Sequence, residues 1–105
     1  MPSEKEFEKK VKKFLDSLAP EVWYFKHWAG AYSKSGIPDI VGCISGHFMG
    51  IELKKEGGTP SPLQIRNIEL IKAAKGYGYI LYPKDFEAFK EDVKAIVKES
   101  KENDK

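Results

Sequence analysis

A serine and a glycine at positions 45 and 46, set between two short apolar runs, most narrow what this chain can build. Such a pair suits a two-residue hairpin turn, with Ile40-Val41 leading in and Phe48-Met49 and Ile51 leading out. The simplest register pairs residues whose numbers sum to a constant across the turn, which sets Asp39 opposite Glu52. Cβ atoms of antiparallel neighbours lie roughly 4.5–5.5 Å apart, and two like charges held there repel. A divalent cation between them removes the conflict. Alternation along the strand puts Lys54 on the face of Glu52 and turns Ile51 and Leu53 to the other face, toward a core.

Ordinary sheet chemistry accounts for the same spacing. Asp is a common turn residue before a strand, and Glu-x-Lys on a half-exposed strand is commonly a solvated face. Gly36-Ile37-Pro38 favours the functional alternative, because it brings the chain into Asp39 through a restricted, hydrogen-bond-poor turn that fixes where the carboxylate points.

Three segments, Gly36-Ile37-Pro38-Asp39, Ile51-Glu52-Leu53-Lys54 and Ser61-Pro62-Leu63-Gln64, resemble the successive motifs of the PD-(D/E)XK nuclease superfamily, specifically its VRR-NUC branch. The resemblance runs from the first helix to the strand ending near Tyr82. It implies a restriction-endonuclease-like αβββαβ core, with a central mixed sheet flanked by helices, plus a C-terminal helix. It also implies that Asp39 and Glu52 bind the metal, that Lys54 positions or activates the attacking water, and that Gln64 lies beside the site. The family places a Glu on its first helix; Glu4 fits the spacing with Phe7, Val11 and Leu15 best, and Glu8 falls on the same face one turn later.

Length and charge set the bounds. At 105 residues the chain is expected to be one domain with one core, residues 1–105. A formal charge of +2 is no global nucleic-acid signature, so DNA contacts have to come from local patches. The lone Cys43 excludes an intramolecular disulfide and a cysteine-rich zinc site, and reads as a small buried hydrophobe on a strand. No run approaches the roughly 20 apolar residues of a membrane span, and the amino terminus does not read as a signal peptide, so an intracellular, cytoplasmic protein is expected.

Ser3 and Glu6 look like a capping box for a first helix ending near Ala19-Pro20, its lysines a solvated face or phosphate contacts. Val22 to Trp28 reads as a strand whose aromatics pack in a core or interface, with base stacking the alternative. The stretch from Ala29 to Gly36 is either a plain connection or, through Ser33, Lys34 and Ser35, a phosphate contact. The hairpin strands are expected at 38–44 and 47–55, followed by a mobile connection at 56–60. Ser61 caps a helix with Pro62 at its first position and an apolar pattern of Leu63, Ile65, Ile68, Leu70 and Ile71; it delivers Gln64 and Arg66 to an end that favours anionic phosphate. A last strand at 77–82, a helix at 85–100 and a frayed tail from Lys101 complete the reading.

Phosphodiester hydrolysis needs an acidified water, neutralised phosphate charge and a stabilised leaving oxygen, and a hard cation serves all three. Mg²⁺, or Mn²⁺, would be held by Asp39, Glu52 and a backbone carbonyl such as that of Leu53. His27 and His47 are too far apart in sequence to suggest a ligand pair, and each reads as a surface or strand residue, with a histidine on the loop side of the site as the alternative. The leading expectation is a structure-selective DNA endonuclease resolving four-way (Holliday) junctions as a homodimer, with Trp23, Trp28, Tyr77 and Tyr79 available for the interface. A nicking, flap or restriction-type nuclease and a non-catalytic nucleic-acid-binding or protein-interaction domain are the alternatives; a binding module would gain nothing from a repulsive carboxylate pair.

Overall fold

Positive φ at two successive residues makes the tight turn that a right-twisted hairpin needs, and Ser45 and Gly46 adopt it, at 47° and 87°. In the computed structural model, which describes residues 3–28 and 34–103, this turn joins two central strands. The elements are α1 (Glu4–Asp16), β1 (Val22–Lys26), β2 (Ile40–Ile44), β3 (His47–Leu53), α2 (Pro62–Ala73), β4 (Tyr77–Leu81) and, after a 3-10 turn at Pro83–Asp85, α3 (Phe86–Asn103). The strands form one sheet in chain order. β1–β2 and β2–β3 are antiparallel, β3–β4 is parallel, and Ile40 pairs with Ile51 in the expected register.

Alternation splits the sheet into two unlike faces. One carries Val22, Ile40, Ile44, Met49, Ile51, Leu53 and Leu81, packed under Phe7, Val11 and Leu15 of α1 and Phe89, Val93 and Val97 of α3. Each large side chain here stabilises the fold by roughly 1.5–3 kcal/mol on leaving water. Ser3 caps α1 by accepting the Glu6 N–H at 3.1 Å. Tyr79 belongs to this packed face, its ring edge-on to Phe89 and its hydroxyl donating to Asp92 at 2.6 Å. Tyr77 lies two residues along the same strand and also packs against the core. Both tyrosines are thus partly buried against the core, leaving only part of each ring for the interface expected of it.

α2 covers the other face over β3 and β4. It approaches closely because Gly50 leaves room: a Cβ there would lie 2.7 Å from Ile71 Cδ1 and 3.1 Å from Pro38 Cγ. Among the described residues no helix packs extensively on the β1–β2 half of this face. Trp23 is 67% exposed, Phe25 50% and Phe48 52%, so the β1 aromatics are not core residues, except that Tyr24, on the opposite face, packs against the core and donates to Asp16 at 2.8 Å. Cys43 lies between Trp23 and Phe48 in register and is exposed, not buried as expected. The apolar pattern of α2 is likewise only partly used: Ile68 is buried, whereas Leu63, Ile65 and Leu70 are exposed.

Smaller departures have local causes. β1 ends at Lys26 rather than Trp28, and α3 runs on to Asn103, with Lys101 paired to Glu21 at 2.9 Å, so residues 101–103 are helix instead of frayed tail. The 56–60 connection, expected to be mobile, is tied at its first residue and its middle: Glu56 accepts the Lys84 N–H at 3.0 Å and Gly58 O accepts the Tyr82 hydroxyl at 2.8 Å. Among the described residues no helix is long and apolar enough to cross a membrane.

Candidate functional site

The site begins with a pinned turn. Gly36 has φ +78°, a value that costs most residues energy but not glycine. A Cβ there would lie 2.7 Å from Leu63 Cγ, and the Gly36 carbonyl accepts from Asn67 Nδ2 at 2.8 Å. The backbone entering Pro38 and Asp39 is thus docked on α2. Asp39 follows with its carbonyl accepting the His27 N–H at 2.7 Å and its carboxylate Oδ2 accepting the Leu53 N–H at 2.8 Å.

Pro38 explains that last contact. Two residues beyond the Ile40–Ile51 pair, the ladder would set Pro38 against Leu53. Proline has no N–H to give to the Leu53 carbonyl. The regular exchange of bonds stops there, and a carboxylate takes the Leu53 amide.

Glu52 lies on the α2 face, paired in register with Ile80 of β4 and only 2% exposed. Its Oε2 accepts from Gln64 Nε2 at 3.0 Å and is 3.3 Å from Lys54 Nζ. Its Oε1 is buried and has no hydrogen-bond partner. Burial first, then the charge of Asp39 and, to a smaller extent, hydrogen bonding between the two carboxyls when Glu52 is protonated push the Glu52 carboxyl from 4.5 up to about 7, against the opposing pull of Lys54; it is the ionised form whose Oε1 has no partner. The expected convergence of Asp39, Glu52 and Lys54 is present, and Gln64 joins them.

Gln64 is delivered by its own helix cap. Ser61 Oγ accepts the Gln64 N–H at 3.1 Å, and Gln64 Oε1 accepts the Ser61 N–H at 2.8 Å, a reciprocal capping box. The amide's other end is left to hold Glu52. Arg66 sits one turn into α2 and is exposed, as are Lys34 and Ser35 before Gly36; Ser33 lies outside the described residues.

The two first-helix candidates are placed differently. Glu4 is exposed in the first turn of α1. Glu8 is held against the sheet by Lys26 of β1, with Lys12 at 3.3 Å. Its burial works to raise its carboxyl, but the hydrogen bonds and charges of Lys26 and Lys12 outweigh this and hold it below the usual range. Lys26 pairs with Ile40, the residue after Asp39, so Glu8 stands beside the site on the opposite sheet face.

One neighbour is a histidine, the residue type that the sequence offered at the site only as an alternative. The His27–Asp39 bond continues the β1–β2 ladder, so His27, Asp39, Glu52 and Ile80 form one row across all four strands, facing α2. His27 Nε2 is buried without a hydrogen-bond partner. Once the β1 register is known, this row is a matter of counting; without it, His27 is separated from Asp39 by a loop of unspecified path.

The donor set suits a hard cation better than a soft one: two carboxylates, one with an orphaned buried oxygen, at the strand end where the ladder breaks off. Among the described residues no three His, Cys, Asp or Glu side chains gather into a closed cage. Comparison of the chain with protein-family models, with curated proteins and with solved structures finds no match.

Proposed function

We propose that this chain is a Mg²⁺- or Mn²⁺-dependent DNA endonuclease of the VRR-NUC type, with a restriction-endonuclease-like core, acting on branched DNA and above all on four-way junctions. The observation that carries the reading is Glu52, a buried carboxylate beside Asp39 with one oxygen unpartnered. A carboxylate buried beside a second, partly exposed one costs stability, and an orphaned acceptor adds to that cost. A cation offsets both. The element order αβββαβ followed by a C-terminal helix supports the same reading.

When bound, the cation would acidify a water and neutralise charge on the attacked phosphate. The chain's own residues divide the remaining work. Asp39 and Glu52 would hold the ion, Glu52 giving up its proton to do so, and the Leu53 carbonyl, denied a ladder donor by Pro38, would complete the protein's share. Gln64 keeps Glu52 in one orientation through its Oε2. Lys54, 3.3 Å from that same oxygen, would orient the water and stabilise developing charge. Lys34, Ser35, Arg66 and the amino end of α2 would engage flanking phosphates.

A four-way junction is two-fold symmetric and its resolution needs paired cuts, so a chain with one site would act as a dimer. The open face carrying Trp23, Phe25 and Phe48 favours a second copy as its occupant. Aromatic side chains bury about 150–250 Å² each. Three rings with about half of that still exposed would form the centre of the roughly 800 Å² per partner that a stable interface needs, with surrounding residues supplying the larger share.

The test is cleavage of labelled four-way junctions, flaps, single strands and plain duplex in Mg²⁺, Mn²⁺ or EDTA, by wild type and Asp39→Asn. Metal-dependent cutting of junctions by wild type alone is expected. Full activity in Asp39→Asn removes the carboxylate pair from the mechanism; flap or single-strand cutting with junctions untouched removes the resolvase assignment and keeps the nuclease.

A further inference from the structure

Among the described residues three buried side-chain polar atoms lack a hydrogen-bond partner: Ser45 Oγ in the hairpin turn, Glu52 Oε1 and His27 Nε2. Leaving such an atom unpaired costs free energy, and each one in a folded protein calls for an explanation. Ser45 lies at the far end of the hairpin. The other two belong to residues in a single row, on the strands either side of Asp39, where neighbouring backbones lie about 4.7–4.9 Å apart. A ligand that satisfies Glu52 and Asp39 therefore sits next to the imidazole.

We propose that His27 is a positioning residue of the cation site, its Nε2 accepting a hydrogen bond from a hydration water of the ion held by Asp39 and Glu52. This rests on the metal-dependent reading given above. A water-mediated role fits the geometry better than direct ligation, since His27, Asp39 and Glu52 do not close into a three-residue cage. Mg²⁺ and ions like it retain several waters when only one or two carboxylates bind them, and those waters need acceptors in a buried site. With its proton on Nδ1, an imidazole offers Nε2 as a lone pair. The backbone supports the placement: the His27 N–H is fixed on Asp39 O at 2.7 Å, so the histidine and the carboxylate share one rigid point of the ladder. His27 thus stands on the Asp39 side of the site and Lys54 on the Glu52 side, bracketing a water between an acceptor and a charge.

The experiment is calorimetric titration with MnCl₂ of wild type, His27→Phe, His27→Gln and Asp39→Asn, together with thermal unfolding of each in EDTA. Without metal the Nε2 has no partner to lose, so His27→Phe is expected to unfold at the wild-type temperature or above it. Its Mn²⁺ affinity should fall by about 10- to 100-fold, the usual effect of removing an outer-sphere partner. His27→Gln, which keeps a side-chain acceptor, should recover part of that loss. Wild-type Mn²⁺ affinity in His27→Phe overturns the proposal, and so does a lowered unfolding temperature of both His27 variants in EDTA, which would make the histidine a structural residue. A directly bound imidazole nitrogen in the pulsed EPR spectrum of Mn²⁺-loaded wild type overturns the water-mediated arrangement. If wild type takes up no Mn²⁺ at all, the metal-dependent reading itself fails and this one with it; if wild type binds, Asp39→Asn does not and His27→Phe matches wild type, only the assignment of His27 fails.

Discussion

Gln64 donates its side-chain amide to Glu52 Oε2 at 3.0 Å while the same amide's oxygen accepts the Ser61 N–H, so one side chain both starts helix α2 and steadies the buried carboxylate. The two tasks can be separated by mutation. Ser61→Ala removes the hydroxyl half of the cap and should lower stability by about 1 kcal/mol. Gln64→Ala removes the other half and also strips Glu52 of its neutral donor, so its loss should exceed that of Ser61→Ala by roughly another 1–2 kcal/mol. Urea denaturation in EDTA compares them, and equal losses would mean that the Gln64–Glu52 bond contributes nothing.

Glu52 ties stability to pH in the metal-free protein. Its carboxyl is raised from 4.5 to about 7, chiefly by burial and then by the charge of Asp39, so the folded state holds a proton that the unfolded chain releases. The stabilisation is complete below pH 4.5 and is lost as pH rises to about 7, on the order of 3 kcal/mol in all. Glu52→Gln should flatten that slope and be more stable than wild type in EDTA above pH 7. Mn²⁺ affinity of wild type should climb over the same interval, because the ion competes with the proton. Equal slopes in wild type and Glu52→Gln would show that Glu52 takes up no proton on folding in this range.

Gly36 combines a positive φ with contact against Leu63 and Asn67. Gly36→Ala should cost roughly 1–3 kcal/mol from backbone strain alone, and more from the clash. Because this turn aims Asp39, Mn²⁺ affinity should fall as well. An alanine variant with wild-type stability and affinity would mean that the turn can relax without moving the carboxylate.

The open sheet face offers a direct probe of assembly, since exposed Cys43 lies between Trp23 and Phe48. If a second copy covers this face, sedimentation should report a dimer, Phe25→Asp should shift it to monomer, and a short bis-maleimide should link two chains through Cys43. A dimer unaffected by Phe25→Asp and not linked through Cys43 would place the interface elsewhere.

The sequence made the hairpin legible because everything that defines it is local. A two-residue turn sets the register, alternation places Glu52 and Lys54 together, and a Ser-Pro-x-Gln cap brings Gln64 to them. His27 was not legible because its relation to Asp39 depends on how β1 docks across an intervening loop, which no local pattern encodes. The same holds for Glu4 and Glu8: helical spacing puts both on one face, and only the remote Lys26 distinguishes them. The β1 aromatics and the α2 leucines misled for a third reason. Their hydrophobicity is real, but α2 packs mainly over β3 and β4, so the apolar character of Trp23, Phe25, Leu63 and Leu70 does not translate into burial.

Drawing both carboxylates from one hairpin has a consequence for how the molecule is made. A two-residue turn closes with little loss of chain entropy, so β2 and β3 can pair early, whereas α2 and β4 must be gathered in from farther along the chain. Asp39 and Glu52 would then face each other while still in water, where their repulsion is weakest. The helix that seals Glu52 away brings its stabilising partner, Gln64, at the same moment. The order of events lets a costly centre form without a costly intermediate.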